Sequence, residues 1–267
     1  MVAVVFQNAL TTIAVKHHIG ILTIKNGKQN LIADPVFIRK EELEEVIRAC
    51  ELKALILTGH GKNFSSGADS ERFGDYKEQT EAFKEKLNEG KRVLDYIEQL
   101  PILTVALTNG ACFGAGFEIA LSCQFRIGCK NTYFSFPERN LGLLPGMGGT
   151  VRLPRLIGRS RAMELILSGN LINAQQALEW GILNEIVPKK ERMDAAVKWV
   201  EALLEGTSHK QRAEIIRAVN MAQNADIQQL YQAETETFVN LLSDRFRHKE
   251  LQREKKPEVE KRRKSKH

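Results

Sequence analysis

The chain has 267 residues, 43% hydrophobic and 27% charged, which suits a globular protein with a large buried core. No apolar run approaches the ~20 residues that cross a bilayer, and the start, Met-Val-Ala-Val-Val-Phe-Gln-Asn, lacks the basic segment and long apolar core of a signal peptide. A cytoplasmic protein is expected, with no membrane association. From Arg253 onward eight basic residues face three acidic ones, so most of the net charge of +6 sits in the last stretch and the body is near neutral. That reads as a solvated end and argues against a folded nucleic-acid-binding face. Cys50, Cys112, Cys123 and Cys129 form no Cys-x-x-Cys pair and have no clustered histidines, so buried thiols in a reducing compartment are expected and no metal site.

Taken in order, Thr12 to Lys25 alternates β-branched and polar residues around His17-His18, the pattern of a hairpin with the histidines at its turn. A loop at Asn26-Gly27-Lys28-Gln29-Asn30 leads to a helix over Phe37 to Cys50 with Leu43, Val46 and Ile47 on one face. Leu52 to Thr58 is nearly all apolar and stops at Gly59-His60-Gly61, which predicts a buried strand and a sharp loop. That loop continues as Lys62-Asn63-Phe64-Ser65-Ser66-Gly67-Ala68-Asp69, where small residues beside glycine let backbone N–H groups approach a ligand. A helix over Thr80 to Leu100, closed by Pro101, precedes a strand over Ile102 to Leu107 that ends at Asn109-Gly110. Strand, helix, strand, helix, strand predicts an α/β architecture whose site lies on loops after strands.

Phe117 to Cys123 reads as a helix after Gly114-Ala115-Gly116, and short strands fill Phe125 to Phe136. A glycine-rich turn over Leu141 to Thr150 enters a helix over Val151 to Ile157, with Arg152 and Arg155 expected on its exposed side. Arg161 to Leu167 is helical, Asn173 caps another helix that Gly181 ends, Ile182 to Val187 is a strand, and everything from Lys189 reads as helix. The apolar stripe Ile227, Leu230, Tyr231, Phe238, Leu241, Leu242 and Phe246 is a packing face.

Glu118 and Glu138 stand out chemically. They lie 20 residues apart, a helix followed by a strand, which brings both to one edge of a sheet beside glycine turns with unused N–H groups. Two carboxylates next to such donors are equipped for acid–base work on a polarised carbonyl. Singly, each reads equally as an ordinary helix-start or loop residue.

Four segments in register sharpen this: Ala54 to Gly59 with Lys62 to Asp69, Asn109-Gly110 to Glu118, Pro137-Glu138 to Thr150, and Leu167-Ser168-Gly169 with Ala174 to Val187. Together, over roughly residues 10 to 190, they resemble the crotonase, or enoyl-CoA hydratase/isomerase, superfamily. The resemblance implies a spiral of β-β-α units (residues 1–195), a helical C-terminal trimerisation region (196–252) and, beyond the family pattern, the basic tail (253–267). It implies homotrimers or hexamers and an acyl-CoA substrate, with CoA part of the substrate and no separate cofactor; an acyl chain on a carrier protein is the other form. By motif position, backbone N–H groups of Ala68 and Ala115 would hold the thioester carbonyl. Many members have glycine where Ala115 stands, so room beside that carbonyl is in question. Glu118 would activate water, Glu138 would protonate the α-carbon, the Gly146 backbone would hold the water, and Lys62 and Ser66 would meet the CoA nucleotide. Phe113, Phe117 and Phe136 are candidates for shaping the acyl pocket. A hydratase leads; an isomerase or decarboxylase on the same fold follows, and a non-catalytic binding protein touching RNA through its tail is the remote alternative.

Overall fold

The computed structural model describes residues 3–72, 79–221, 229 and 231–241. Alternating β-branched residues at the start build an antiparallel edge from β1 (Ala3–Gln7), β2 (Thr11–Lys16) and β3 (Ile19–Ile24). His17 and His18 form the turn with φ of 51° and 62°, the left-handed pair whose twist matches a two-residue hairpin. β1 lies beyond the expected elements; its side chains are mostly exposed, so it carries no half-buried alternation to read.

From β3 the sheet turns parallel. β4 (Ala54–Gly59) and β5 (Leu103–Thr108) are buried at every residue, which explains their unbroken apolar runs. After the short β6 (Ala111–Phe113), β7 (Phe125–Cys129) pairs with β5. With β10 (Glu185–Val187) the sheet has seven strands among the described residues, ordered β1-β2-β3-β4-β5-β7-β10.

A second layer repeats beside the first. β6 pairs with β8 (Tyr133–Ser135), which pairs with β9 (Ile172–Asn173). Single parallel bridges carry this layer on, Ser65 to Cys112 and Ile32 to Ala68. Each parallel strand thus leads to a short return segment before the next helix: Ile32 before α1 (Lys40–Ala49), Ser65 to Ala68 before α2 (Thr80–Gln99), and β6 before α3 (Ala115–Leu121). These return segments are two or three residues long or single bridges, too short for any periodicity to show. The helix expected from Phe37 begins at Lys40, and Phe37 and Ile38 are instead fully buried ahead of it.

α4 (Gly149–Ile157), α5 (Arg159–Ser168) and α6 (Ala174–Glu179) follow. α6 starts on the expected cap: the Gln176 N–H donates to Asn173 Oδ1 at 2.9 Å and the Asn173 N–H to Gln176 Oε1 at 3.2 Å. α7 (Arg192–Leu204) buries Ala196, Val197 and Val200, and Trp199 meets Phe125 edge-on at 5.0 Å. The chain divides into two compact units, Met1–Gly206 and Thr207–His267. In the second, α8 (His209–Met221) and the helical residues 231–241 are described. Of the C-terminal apolar stripe, Tyr231 and Phe238 are exposed and Leu241 half-buried; Ile227, Leu230, Leu242, Phe246 and the basic tail lie outside the described residues. No helix among those described is long and apolar enough to cross a membrane.

Asn30 fixes the loop after β4. It is fully buried with φ of 50°, and its Nδ2 donates to the carbonyls of His60 and Asn63, both at 2.9 Å. Asparagine tolerates this left-handed backbone, and its amide satisfies acceptors that would otherwise be stranded. Replacing it strands those carbonyls at about 1–3 kcal/mol per unsatisfied group. Asn30→Ala is expected to lower unfolding free energy by about 2–3 kcal/mol in urea titration; a change under half of that would show the loop to be held by other contacts.

Candidate active site

The loops after β4 and β5 wall a cavity of about 1380 Å³, lined by Ser66, Ala68, Ala115, Glu118, Glu138 and Gly146 among others. Ligand sites in parallel sheets favour this carboxyl edge, where neighbouring strand ends diverge into loops.

Two glycine turns set its floor. At Gly67, φ is 102°, and the adjoining bridge uses Ile32 N–H to Gly67 O (2.9 Å) and Asp69 N–H to Ile32 O (3.1 Å). In such a parallel bridge the N–H of Ala68, between them, points away from Ile32. At Gly114, φ is 48°, and α3 begins on the next residue, so the Ala115 N–H is one of the helix's unsatisfied first donors. Neither N–H meets an acceptor among the described residues. A Cβ built on Gly67 would sit 3.1 Å from the Phe113 carbonyl oxygen and 3.8 Å from Ala115 N. The turn at Gly67 therefore lies against the turn that leads into Ala115. Ala115 itself is outside the positive-φ residues, so its methyl carries no backbone strain.

Glu118, in the first turn of α3, is 1% exposed. Its Oε1 accepts the N–H groups of Met147 and Gly149, each at 2.7 Å. Burial pushes its carboxyl above the ordinary range, while those two bonds and the charges of Arg152 and Lys91 pull it back. Beneath it Phe117 and Phe136, fully buried, stack at 4.8 Å. These rings are core packing under α3 and not among the cavity's lining, contrary to the expectation of an acyl-pocket role.

The turn that grips Glu118 is itself held by Arg152, which is 7% exposed and so corrects the expectation of an outward arginine. Its Nη1 donates to the Met147 carbonyl at 3.0 Å, its Nε to Glu98 Oε2 at 2.8 Å, and its Nη2 to Asp95 Oδ1. The acidic partners come from α2, 54 and 57 residues earlier, a separation that no local pattern reveals. Gly148, φ 106°, makes room: a Cβ there would lie 2.3 Å from Arg152 Nη1.

Glu138 stands in a 3-10 turn, Pro137–Leu141, half-buried. A Cβ on Gly114 would fall 2.5 Å from its Oε1, so the carboxylate lies against the turn that presents Ala115. Its Oε2 is buried with no partner among the described residues. Burial, with a smaller contribution from the charge of Glu118, pushes its pKa up to about 7 against the opposing bond from its own backbone N–H.

Gly146 lines the cavity within the Glu118 turn, 3.7 Å from Leu87 Cδ2 when given a Cβ. Ser66 also lines it, but its N–H already donates to the Gln29 carbonyl at 2.9 Å. Lys62 is exposed and outside the lining. Met147, Gly149 and Arg152 are the parts that sequence reasoning did not assign.

Two outcomes follow from this wiring. Arg152→Met should cost about 2–3 kcal/mol, below the ~3–5 kcal/mol of a fully buried pair because Asp95 is 57% exposed; it should also lower turnover more than it changes substrate KM, since its effect runs through Glu118. An unchanged rate would show that the Met147 turn holds without it. Glu138 binds its proton more tightly folded than unfolded, so the folded state carries more protons between its ordinary carboxylate range and about pH 7. Stability is therefore lost as pH rises through that window. Glu138→Gln should raise the melting temperature relative to wild type at pH 8, with the difference shrinking toward pH 5; a constant difference would place the proton elsewhere.

Comparison with known proteins gives a consistent picture. The family model described as Enoyl-CoA hydratase/isomerase matches residues 16–265. A Bacillus subtilis (strain 168) protein named probable enoyl-CoA hydratase is 35% identical over 184 residues, 67% of this chain and 69% of its own. An enoyl-CoA hydratase from Bacillus anthracis superposes with a TM-score of 0.75 at 29% identity over 91% of both chains. A Thermobifida fusca YX protein in complex with acetoacetyl-CoA, at 24% identity over 88% of this chain and 96% of its own, shares the fold with a TM-score of 0.76.

Proposed function

The chain belongs to the enoyl-CoA hydratase/isomerase family of the crotonase superfamily, and from that premise we propose that it adds water across the 2,3 double bond of an enoyl-CoA. The observation that carries this reading is the pair of carboxylates in one cavity beside two unused N–H donors. The thioester carbonyl accepts from Ala68 and Ala115 N–H. Glu118, ionised, takes a proton from water while the oxygen bonds to the β-carbon. The electron pair of the double bond moves toward the carbonyl as an enolate, which the two N–H groups stabilise. Removing one such donor in hydrolases costs about 3–4 kcal/mol of transition-state stabilisation. Glu138 then delivers its proton to the α-carbon, and the proton that Glu118 took from water passes through solvent to Glu138, which restores both carboxyls.

The two environments fit these roles. Burial raises both carboxyls, but at Glu118 two N–H bonds and nearby positive charge oppose it, whereas Glu138, whose Oε2 has no partner among the described residues, is pushed up to about 7. Such a split is how paired carboxylates divide acid from base. A double-bond isomerase moves a proton between carbons and can work with one acid, so the tuned pair favours hydration over isomerisation. Gly146, in the Glu118 turn, is the residue to hold the water by its backbone. In this reading Lys62 meets a phosphate of CoA, and the nucleotide lies near Ser66. The exposed apolar side chains of Leu156, Met163 and Leu167 on α4 and α5 support a homotrimer or hexamer.

The test is loss of enoyl-thioester absorbance with crotonyl-CoA and longer 2-enoyl-CoAs. Glu118→Gln and Glu138→Gln should each lower kcat by about a hundredfold or more, the usual scale of general acid–base catalysis. Wild-type activity should fall as pH rises above about 7, as Glu138 loses its proton. A wild type that binds these thioesters and leaves them unchanged would refute hydration and turn attention to isomerisation and decarboxylation.

A further inference from the structure

One face of α2 looks into the cavity: Phe83, Leu87, Lys91, Asp95 and Glu98, spaced by three or four residues. Its first half is apolar. Its last two members are occupied by Arg152. Lys91 lies between them, half-buried, and donates no hydrogen bond and makes no ion pair among the described residues. The other cations of the wall are engaged. Arg152 is fully paired, Arg72 Nη1 donates to the Ala33 carbonyl at 3.3 Å, and Arg155 has a partner of its own.

The place of Lys91 is set by its neighbours. Leu87, one turn earlier, approaches Gly146, and Gly90 lies against Met147, with 3.1 Å from a built Cβ to Met147 Cε. Both belong to the turn that holds Glu118, and the charge of Lys91 acts on Glu118 itself. With the thioester fixed at Ala68 and Ala115 and the β-carbon beside Glu118, α2 is wall that the acyl group meets beyond the β-carbon.

An aliphatic chain laid there would cover an ammonium group without offering it an acceptor. Covering a charge without a partner is costly, and phenylalanine and leucine on the same stripe show that the helix supplies apolar residues where apolar contact is needed. A carboxylate at that point makes a charge-assisted bond. It also needs a cation there, because otherwise it would repel ionised Glu118.

We propose that Lys91 binds a carboxylate at the distal end of the acyl group, so that the preferred substrates are enoyl thioesters of dicarboxylic acids. This rests on the enoyl-thioester reading above. It makes Lys91 a specificity residue, contacting the substrate away from the reacting carbons.

The test measures binding apart from turnover. Calorimetry compares glutaryl-CoA and adipyl-CoA, saturated and inert to hydration, with butyryl-CoA and hexanoyl-CoA, on wild type, Lys91→Met and Lys91→Arg. Wild type should bind at least one dicarboxylic thioester about tenfold or more tighter than its neutral counterpart. Lys91→Met should erase that preference without weakening the neutral thioester, and Lys91→Arg should keep part of it. A wild type with no preference, a preference that survives Lys91→Met, or an equal loss for both ligand classes would overturn the inference. Hydration of glutaconyl-CoA and crotonyl-CoA is followed in parallel. A Lys91-dependent binding preference without hydration sustains the inference and refutes the hydratase reading, whereas failure to bind any of the thioesters overturns both.

Discussion

Burying a carboxylate is costly, and the way Glu118 is accommodated constrains much of the surrounding chain. Two backbone N–H groups can reach one carboxylate oxygen only if the chain at Met147 to Gly149 turns back on itself. That turn needs Gly148 at φ 106° and Gly149 tight against Phe136, where a Cβ would meet the ring at 2.8 Å. Its remaining carbonyl, on Met147, is taken by Arg152, and Arg152 is neutralised by Asp95 and Glu98. A helix 50 residues or more away in sequence is thereby tied to the orientation of one catalytic candidate. The chain of contacts runs through rigid parts, a helix face and a glycine turn, which suits a group that must keep one geometry.

The second carboxylate is treated in the opposite way. Among the described residues Glu138 receives no side-chain or neighbouring backbone donor, and one of its oxygens is buried without a partner. An unsatisfied buried acceptor is destabilising when ionised and much less so when protonated. The fold therefore stores a preference for the proton at Glu138, whereas at Glu118 two N–H bonds and nearby positive charge oppose the same effect of burial, although the two line the same cavity. Gly114 serves both sides of this arrangement. Its backbone at φ 48° starts α3, exposing the Ala115 N–H, and its missing side chain leaves space for the Glu138 carboxylate.

Legibility in the sequence followed the range of the interactions. β4 and β5 are buried along their whole length, and their apolar runs announce them. The hairpin at His17-His18, the cap at Asn173 and the long α2 also rest on neighbours within a few residues, and these signals are local. β6 and β9 are two or three residues long and are defined by partners far along the chain, so composition does not mark them, whereas β8 falls within the short strands expected over Phe125 to Phe136. The same holds in the site. Glu118 and Glu138 are visible as carboxylates beside glycine turns, but the Met147 and Gly149 donors are backbone atoms and carry no residue code. Arg152 lies inward because its partners are Glu98 and Asp95 of α2, 54 and 57 residues away, which no pattern local to α4 announces.

Ala115 stands where the family resemblance leads one to expect glycine, and the local backbone leaves room for the alanine. The donor there is a backbone N–H, and its direction is fixed by the residue before it. Gly114 carries the unusual φ, while Ala115 is already helical and 5% exposed. A methyl group at that position costs no backbone strain and faces packed interior on most sides. Gly67 is different: its φ of 102° and the 3.1 Å from a built Cβ to the Phe113 carbonyl leave neither conformation nor space for a side chain. Of the two turns that shape the donor pair, the constraint therefore falls on the residues preceding the donors, Gly67 and Gly114, and leaves the donors Ala68 and Ala115 free to carry a side chain.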